Sequence, residues 1–198
     1  MSKICVTGGA GFIGSHVVDL LIEKGHDVFV IDDLSTGKQA NLNPSARFYG
    51  LNILDSILAD IFMKEKPEIV LHLAAQSNVP VSVERPAFDA QSNILGTINL
   101  LETSKKSGVK KIVYSTTGGA LYGNPDPSLL PCDENHSVNP LSPYGLSKHV
   151  AEQYLFHYPM KFTVLRYSNV YGPRQDPYGE AGVTAIFTSN SAVSKPSS

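Results

Sequence analysis

The sequence has little cysteine and no long apolar run. Its 198 residues include only two cysteines, Cys5 in an apolar run and Cys132 in a proline-rich segment, and no CxxC pair. This argues against a disulfide framework and favours a reducing, cytoplasmic setting. No apolar run approaches the roughly 18 residues of a membrane span, and the N-terminus has no signal-peptide pattern. We therefore expect a soluble protein.

Basic clusters and metal-ligand clusters are absent as well. Lys and Arg total 16 against 18 Asp and Glu, and no basic stretch is interleaved with aromatic residues, which argues against a nucleic-acid partner. The six histidines have no accompanying carboxylate cluster; His149 and His157, for example, lie eight residues apart on a predicted helix. The sequence therefore predicts no metal site. His72, at a strand end, is interpreted as a packed residue.

Short apolar runs alternate with helical patterns along the chain. We predict strands at 4–6, 28–31, 47–53, 68–73, 111–115 and 162–166, and helices at 12–24, 55–64, 86–107 and 144–157. Fully apolar strands separated by helices indicate an α/β fold, a doubly wound parallel sheet of the Rossmann type with helices on both faces. The segment 118–143 shows no period and is predicted to be a functional loop. Serine-rich residues 189–198 are predicted to be a disordered tail.

A glycine-rich turn follows the first predicted strand. Gly9-Ala10-Gly11-Phe12-Ile13-Gly14 satisfies GxGxxG, and Gly8 adds an overlapping match. The turn opens a helix, and Asp32 follows at the end of the second strand, which is the context that a dinucleotide site requires. Asp32 can hydrogen-bond a ribose hydroxyl, and Asp32 with Asp33 would repel a 2′-phosphate, so NAD is favoured over NADP. The alternative is an ordinary strand-to-helix turn.

Tyr144 and Lys148 form a YxxxK pair downstream. Pro143 suits the first turn of a helix, so the two side chains fall on one helical face. An ammonium there favours ionisation of the phenol, which can then act as a base near neutral pH. Taken alone, the pair could be two exposed helical residues without a role. Its position after the fifth strand of a sheet whose strands alternate with helices supports a catalytic role, because ligands bind beyond the carboxyl ends of such strands.

Together these motifs resemble the extended short-chain dehydrogenase/reductases, and within them the NAD-dependent sugar epimerase/dehydratase family, most closely its UDP-glucose 4-epimerase branch. The segments that carry the resemblance are 7–15, 32–37, 72–76, 93–97, 122–123, 144–148 and 166–174.

The resemblance implies an NAD site with four parts, in addition to Tyr144, Lys148 and Tyr167. These parts are the turn, the surroundings of the adenosine ribose, the adenine region and the cofactor channel. The turn comprises Gly8, Gly11, Phe12, Ile13 and Gly14, and the surroundings of the ribose comprise Asp32, Asp33, Leu34, Ser35, Thr36 and Gly37. The adenine region comprises Asn52 and Ile53, and the cofactor channel comprises Leu73, Ala74, Ala75, Gln76 and Asn93. The family more often has Asp at position 52, but we expect Asn to serve there.

The resemblance also implies catalytic and substrate roles. Tyr144 would be the acid/base, Lys148 would bind the nicotinamide ribose, and Asn169 would contact the diphosphate of a nucleotide sugar that is epimerised at C4 through a 4-keto intermediate. The position that usually carries a Ser or Thr falls on Gly118. Either Thr117 supplies that hydroxyl to the substrate from one residue away, or Tyr144 works without one; we favour Thr117.

Sugar dehydratases of this type place Asp-Glu directly after the Thr, where this chain has Gly118 and Gly119. Elimination is therefore disfavoured, because it needs an additional acid and base. Glu84, Arg85 and Asp89 are interpreted as a solvated helix start rather than as substitutes.

The resemblance further implies a homodimer through the 86–107 and 144–157 helices. We predict an NAD-binding domain with the start of a substrate lobe over 1–188, most of that lobe being missing. A frameshift, a natural truncation or a shortened chain would each produce this. Two hypotheses follow: an epimerase acting on UDP-glucose and UDP-galactose or on another nucleotide sugar, and an NAD-binding module without useful turnover.

Overall fold

Six parallel strands lie at the centre of the computed structural model, which describes residues 1–176 and Phe187. The strands are β1 (Lys3–Thr7), β2 (Asp27–Asp32), β3 (Arg47–Gly50), β4 (Ile69–His72), β5 (Lys111–Thr117) and β6 (Lys161–Tyr167). Their order across the sheet is β3-β2-β1-β4-β5-β6, with every pairing parallel. The doubly wound prediction is confirmed. Successive strands are added on one side of β1 up to β3 and on its other side from β4 onward, and such sheets bind ligands at the point between β1 and β4 where the strand order reverses.

The helices alternate with the strands as the sequence predicts, with two differences. They are α1 (Phe12–Glu23), α2 (Leu58–Glu65), α3 (Val79–Glu84), α4 (Pro86–Ala90), a π-helical segment (Gln91–Leu95), α5 (Gly96–Ser107) and α6 (Pro143–Leu155). The predicted helix 86–107 is thus interrupted by a π-helical turn. We did not predict α3, which is capped by the Asn78 side chain accepting from Val81 N at 2.8 Å.

Other boundaries differ modestly. β3 ends at Gly50 rather than at residue 53, and α2 begins at Leu58 rather than at residue 55. The segment 118–143 is irregular apart from the 3₁₀ turn Pro127–Leu129, as predicted. The predicted domain boundary at 188 and the tail 189–198 lie outside the described residues.

The core occupies both faces of the sheet because neighbouring strand residues point to opposite sides. On one face Val6 and Val30 pack with Val18 of α1. On the other face the buried side chains are Cys5, Phe29, Ile31, Leu58, Phe62, Leu100, Leu101, Ile112, Tyr114, Ala151 and Leu155. Both faces are covered, which explains why the strands are continuously apolar.

An ionic cluster around the buried Glu65 lies at the amino ends of β1 and β3. Glu65, 6% exposed, accepts hydrogen bonds from Lys3 Nζ at 3.2 Å, Arg47 Nη2 at 3.1 Å and the Tyr49 hydroxyl at 2.5 Å. Although burial opposes ionisation, these hydrogen bonds hold the pKa of Glu65 below its usual value. Because Lys3 and Arg47 begin their strands, the cluster leaves the carboxyl ends of the strands clear.

Candidate active site

The glycine turn between β1 and α1 is a cradle that any side chain would fill. Gly8 has φ +73°, and a Cβ there would lie 2.7 Å from Ala74 N. A Cβ at Gly14 would overlap the Gly8 carbonyl oxygen, and one at Gly11 would lie 3.2 Å from that oxygen. The backbone of the turn therefore stays bare at the start of α1, where amide groups and the helix dipole suit a pyrophosphate.

Asp32 fixes the loop after β2. Its carboxylate accepts from Ala10 N and from Leu34 N, both at 2.9 Å, and Leu34 adopts φ +58°. Burial raises the pKa of Asp32 despite these backbone donors. Asp32 thus ties its loop to the glycine turn, a positioning task beyond the ribose contact that we predicted.

Asp33 and Asn52 meet at the adenine end of the predicted site. Asn52 Nδ2 donates to Asp33 Oδ2 at 2.6 Å, and Ser35 N donates to Asp33 Oδ1 at 2.9 Å. Burial opposes ionisation of Asp33, but these hydrogen bonds outweigh it and lower the pKa of the carboxyl. Ile53, beside Asn52, is buried against Gly96. The structure therefore brings together the two segments predicted to surround the adenosine.

The strip that follows β4 is held by a buried side-chain relay. Thr7 Oγ1 accepts from Leu73 N and Ala74 N, both at 3.2 Å, and lies 2.8 Å from His72 Nδ1. His72 Nε2 lies 3.0 Å from Thr97 Oγ1, which donates to Asn93 O at 2.6 Å. Since the Thr97 proton goes to Asn93 O, we assign the His72 proton to Nε2, which leaves Nδ1 to accept from Thr7.

Burial, helped by the charge of Lys148, lowers the pKa of His72 to about 3. The ring is therefore neutral in the relay at ordinary pH, as the assigned tautomer requires. This supports the interpretation of His72 as a packed residue and gives it a defined task, because it links β1 and β4 to α5.

Asn93, at the centre of the π-helical segment, joins the β4 strip to α6. Its Oδ1 accepts from Gln76 N at 2.9 Å, and its Nδ2 donates to Gln76 O at 2.9 Å and to Ser147 Oγ at 3.0 Å. Ser147 in turn donates to the Tyr144 carbonyl oxygen at 3.0 Å. π-helical turns recur at functional sites, and here the turn carries a side chain that bonds both the strip after β4 and α6.

Lys148 is buried one helical turn after Tyr144, which is half-buried. The Lys148 side chain is 3% exposed, and Nζ lies 4.3 Å from the centroid of the Tyr114 ring. Burial lowers the pKa of Lys148 to about 7, and the negative charge of Asp89 opposes that shift. Burial raises the pKa of Tyr114, so Tyr114 serves as a neutral ring beneath the ammonium.

Thr117 and Gly118 lie at the end of β5, beside the last residue of β6. Thr117 pairs with Tyr167, and its Oγ1 accepts from Ala120 N at 3.1 Å. Gly118 N donates to Tyr167 O at 2.6 Å, and a Cβ at Gly118 would lie 3.2 Å from that same oxygen. A side chain at position 118 would therefore point at the backbone of β6.

The segment after β6 crosses back to α1. His16 Nε2 donates to Pro173 O at 2.9 Å, and Arg174 pairs with Asp19 at 2.7 Å. Asn169, the predicted diphosphate contact, is exposed in the span between Tyr167 and this docking point. Sequence patterns gave no sign of this return because its contacts join positions more than 150 residues apart.

One sequence interpretation is wrong. Glu84 and Arg85 are exposed, as a solvated helix start would be, but Asp89 is 1% exposed. Ser147 and Thr97, both buried, were also missed as parts of the site. For Asp89, the sequence does contain one indication of a place in the site, because its four-residue spacing from Asn93 puts both side chains on one helical face.

In the part of the chain that the structure describes, no group of three or more His, Cys, Asp or Glu side chains is arranged to hold a metal ion. None of the helices described there is long and apolar enough to cross a membrane.

Comparison with known proteins places these features in a family. The NAD dependent epimerase/dehydratase family matches residues 4–196. A UDP-glucose 4-epimerase of Thermotoga maritima, solved with UDP-glucose, is 56% identical with a TM-score of 0.91 over 94% of this chain and 62% of its own. The Thermus thermophilus UDP-glucose 4-epimerase in complex with NAD is 46% identical with a TM-score of 0.90, over 93% of this chain and 61% of its own.

A curated relative supports the same family. The UDP-glucose 4-epimerase of Mycolicibacterium smegmatis is 44% identical over 94% of this chain and 62% of its own length. The chain thus spans about three fifths of the length of the relatives that it matches.

The cradle can be tested with two glycines of similar conformation. Gly8 (φ +73°) and Gly25 (φ +79°) both adopt a backbone that disfavours Ala, but a Cβ at Gly25 meets nothing within 4 Å. Gly25→Ala should lower the free energy of unfolding by about 1 kcal/mol, and Gly8→Ala by about 2 kcal/mol more because of the Ala74 contact. Urea unfolding measures both; equal losses would contradict the close approach.

Proposed function

This chain belongs to the NAD dependent epimerase/dehydratase family, and on that premise we propose that it binds NAD and inverts C4 of a UDP-hexose of the glucose/galactose type. The observation that carries the proposal is the buried Lys148 one helical turn from Tyr144. Both lie on a helix that Asn93 and Ser147 couple to the strip beside the glycine cradle. Lysines are seldom buried without a specific purpose.

The described residues fit the cofactor. The bare backbone from Gly8 to Gly14 suits the pyrophosphate, the 32–37 loop with Asn52 suits the adenosine, and Leu73 to Gln76 suits the channel towards the nicotinamide. Tyr167 lies at the same end of the sheet as Thr117, which suits a place beside the nicotinamide. When bound, NAD would supply the acceptor for the hydride of the sugar C4 and the source of the hydride that comes back to that carbon.

The protein residues manage the proton that accompanies this hydride. Tyr144 takes the proton of the sugar 4-hydroxyl and returns it after the 4-keto sugar has rotated to present its opposite face. The sugar therefore undergoes no net oxidation. The Lys148 ammonium stabilises the tyrosinate form, because a nearby cation favours the charged phenol. The exposed Asn169 would contact the diphosphate.

We assign to Thr117 the hydrogen bond to the reacting oxygen of the sugar. A hydroxyl at position 118 would point at β6. Thr117 ends β5 and bonds the turn that follows, and that turn runs close to the start of α6, because the Ala120 carbonyl oxygen leaves no room for a Cβ at Gly145. Its Oγ1 accepts from Ala120 N, which leaves the hydroxyl proton to donate. Thr117 is thereby available as a donor to the reacting oxygen, and we favour it over a mechanism that lacks a hydroxyl partner.

One observation favours a second candidate function. Because the chain spans about three fifths of its relatives' length, groups that bind the nucleotide base in those relatives can lie outside it. Remote binding energy drives events at the reacting carbon, so loss of such groups lowers kcat as well as raising KM. The alternative is then an NAD-binding module without useful turnover. An enzyme acting on another nucleotide sugar is a variant of the first proposal.

We expect a homodimer through the 86–107 and 144–157 helices. Apolar side chains are exposed on this surface, including Phe88, Leu95, Leu146 and Tyr154. Contiguous exposed apolar groups mark interaction sites. Sedimentation should show a dimer at micromolar concentration, and Leu146→Glu should shift it to monomer because a charge would be buried at the contact. A wild-type chain that sediments only as a monomer would contradict this expectation.

Cofactor choice should follow the two neighbouring aspartates. NAD should bind about tenfold or more tightly than NADP, a difference of about 1.4 kcal/mol, because a 2′-phosphate would face Asp32 and Asp33. Asp33→Asn should narrow the difference in affinity between NAD and NADP, because it removes the charge and keeps the shape of the side chain. Asp60→Asn, on the exposed side of α2, should leave that difference unchanged. Isothermal titration of both cofactors against the wild type and the two variants measures the six dissociation constants. Tighter binding of NADP by the wild type would overturn the assignment.

Turnover should depend on Thr117. UDP-galactose conversion by the chain, followed by coupled detection of UDP-glucose, should lose about a hundredfold in kcat in Thr117→Val, because one hydrogen bond to the reacting oxygen is removed. Ser115→Ala, two residues earlier on the same strand face, should leave kcat near wild type. Full turnover in Thr117→Val would remove the assigned role. NAD binding without conversion in the wild type would support the binding module instead.

A further inference from the structure

We propose that Asp89 is the buried counter-charge of Lys148 and thereby a positioning residue for proton transfer at Tyr144. The inference rests on the proposed function, since it assigns a task to a residue behind the same site. Asp89, which the sequence pattern assigns to a solvated helix start, is buried in the structure.

Asp89 is held on one oxygen only. The side chain is 1% exposed, and its Oδ1 accepts from Gln76 Nε2 at 2.8 Å and from Asn93 Nδ2 at 3.2 Å. Its Oδ2 is buried without a hydrogen-bond partner among the described residues. A buried carboxylate served by two neutral amides on one oxygen is unfavourable unless a positive charge lies near it.

Lys148 is the cation that fits. Of the neighbouring charges, Glu84 and Arg85 are exposed, and Glu152 on α6 is paired with Arg166 of β6 at 2.6 Å. The other titratable groups around Lys148 are the phenols of Tyr114 and Tyr144, the neighbouring His149, and the neutral ring of His72.

No carboxylate among the described residues lies within 4 Å of Lys148 Nζ, so Asp89 acts through space rather than by contact. The Asn93 amide spans the gap, because it bonds both Asp89 Oδ1 and Ser147 Oγ, the residue before Lys148. Asp89 and Asn93 lie four residues apart on one helical face, across α4 and the π-helical segment. The carboxylate therefore orients the Asn93 amide that contacts the Lys148 helix and, through Gln76, the cofactor strip.

The sign of the effect follows from burial. Burial disfavours the ammonium and lowers the pKa of Lys148 to about 7, while Asp89 pulls in the opposite direction. Without the Asp89 charge, the lysine would lose its proton at a lower pH. Near pH 7 a larger fraction of Lys148 would then be neutral, and Tyr144 would lose the cation that favours its ionised form.

The test measures the titration of Lys148 in the cofactor-free chain. Lysine labelled with ¹³C at Cε gives a Lys148 signal, identified by its disappearance in Lys148→Met. Asp89→Asn should lower the midpoint of that signal by about one pH unit, because the amide keeps the shape and removes the charge. Asp89→Glu should restore most of the shift, and Glu84→Gln, an exposed carboxylate nearby, should leave the midpoint unchanged.

Circular dichroism confirms that each variant folds, and Asp89→Ser replaces Asp89→Asn if the latter does not. An unchanged midpoint in the folded uncharged variant overturns the inference and leaves the proposed function standing. A shifted midpoint in a chain that fails to bind NAD supports the inference and contradicts the proposed function. Where turnover is measurable, the alkaline limb of kcat should move to lower pH in Asp89→Asn, which a purely structural role would not cause.

Discussion

A lysine buried at the carboxyl end of a parallel sheet is the constraint on which the rest of the site depends. Taking an ammonium out of water costs several kcal/mol unless the surroundings replace its hydration. Here the replacements are the Tyr114 ring beneath Nζ and the buried carboxylate of Asp89. Each needs its own support, and polar side chains supply part of it, because Gln76 and Asn93 donate to Asp89 while Asn93 also donates to Ser147, the residue before Lys148.

The same network joins the strands that carry the glycine turn to the helix that carries Tyr144 and Lys148. Hydrogen bonds run from Thr7 on β1 through His72 on β4 to Thr97 on α5, and from Asn93 to α6. The π-helical turn is the local irregularity that this arrangement requires, since it carries the bridging Asn93. A site held in this way is preorganised, because each polar group is fixed before a ligand arrives.

The fold could be predicted from the sequence because both its signals are local. Short apolar strands such as Val28–Ile31 report burial on two faces, and the spacing of Gly9, Gly11 and Gly14 reports a close backbone turn. The π-helical turn, α3 and the burial of Asp89 could not be predicted in the same way. They depend on side chains that meet from distant parts of the chain, as Asn93 meets Ser147, and a polar residue in an amphipathic pattern is ordinarily assigned to the solvent side.

One connected network of hydrogen bonds joins the glycine turn to the Tyr144 helix. Amide hydrogen exchange followed by mass spectrometry, with and without saturating NAD, tests it most directly because it needs no substrate. NAD should raise protection together in three separated places: the glycine turn, the strip from Leu73 to Gln76, and the first turns of α6. Protection confined to the glycine turn, with α6 unchanged, would contradict it.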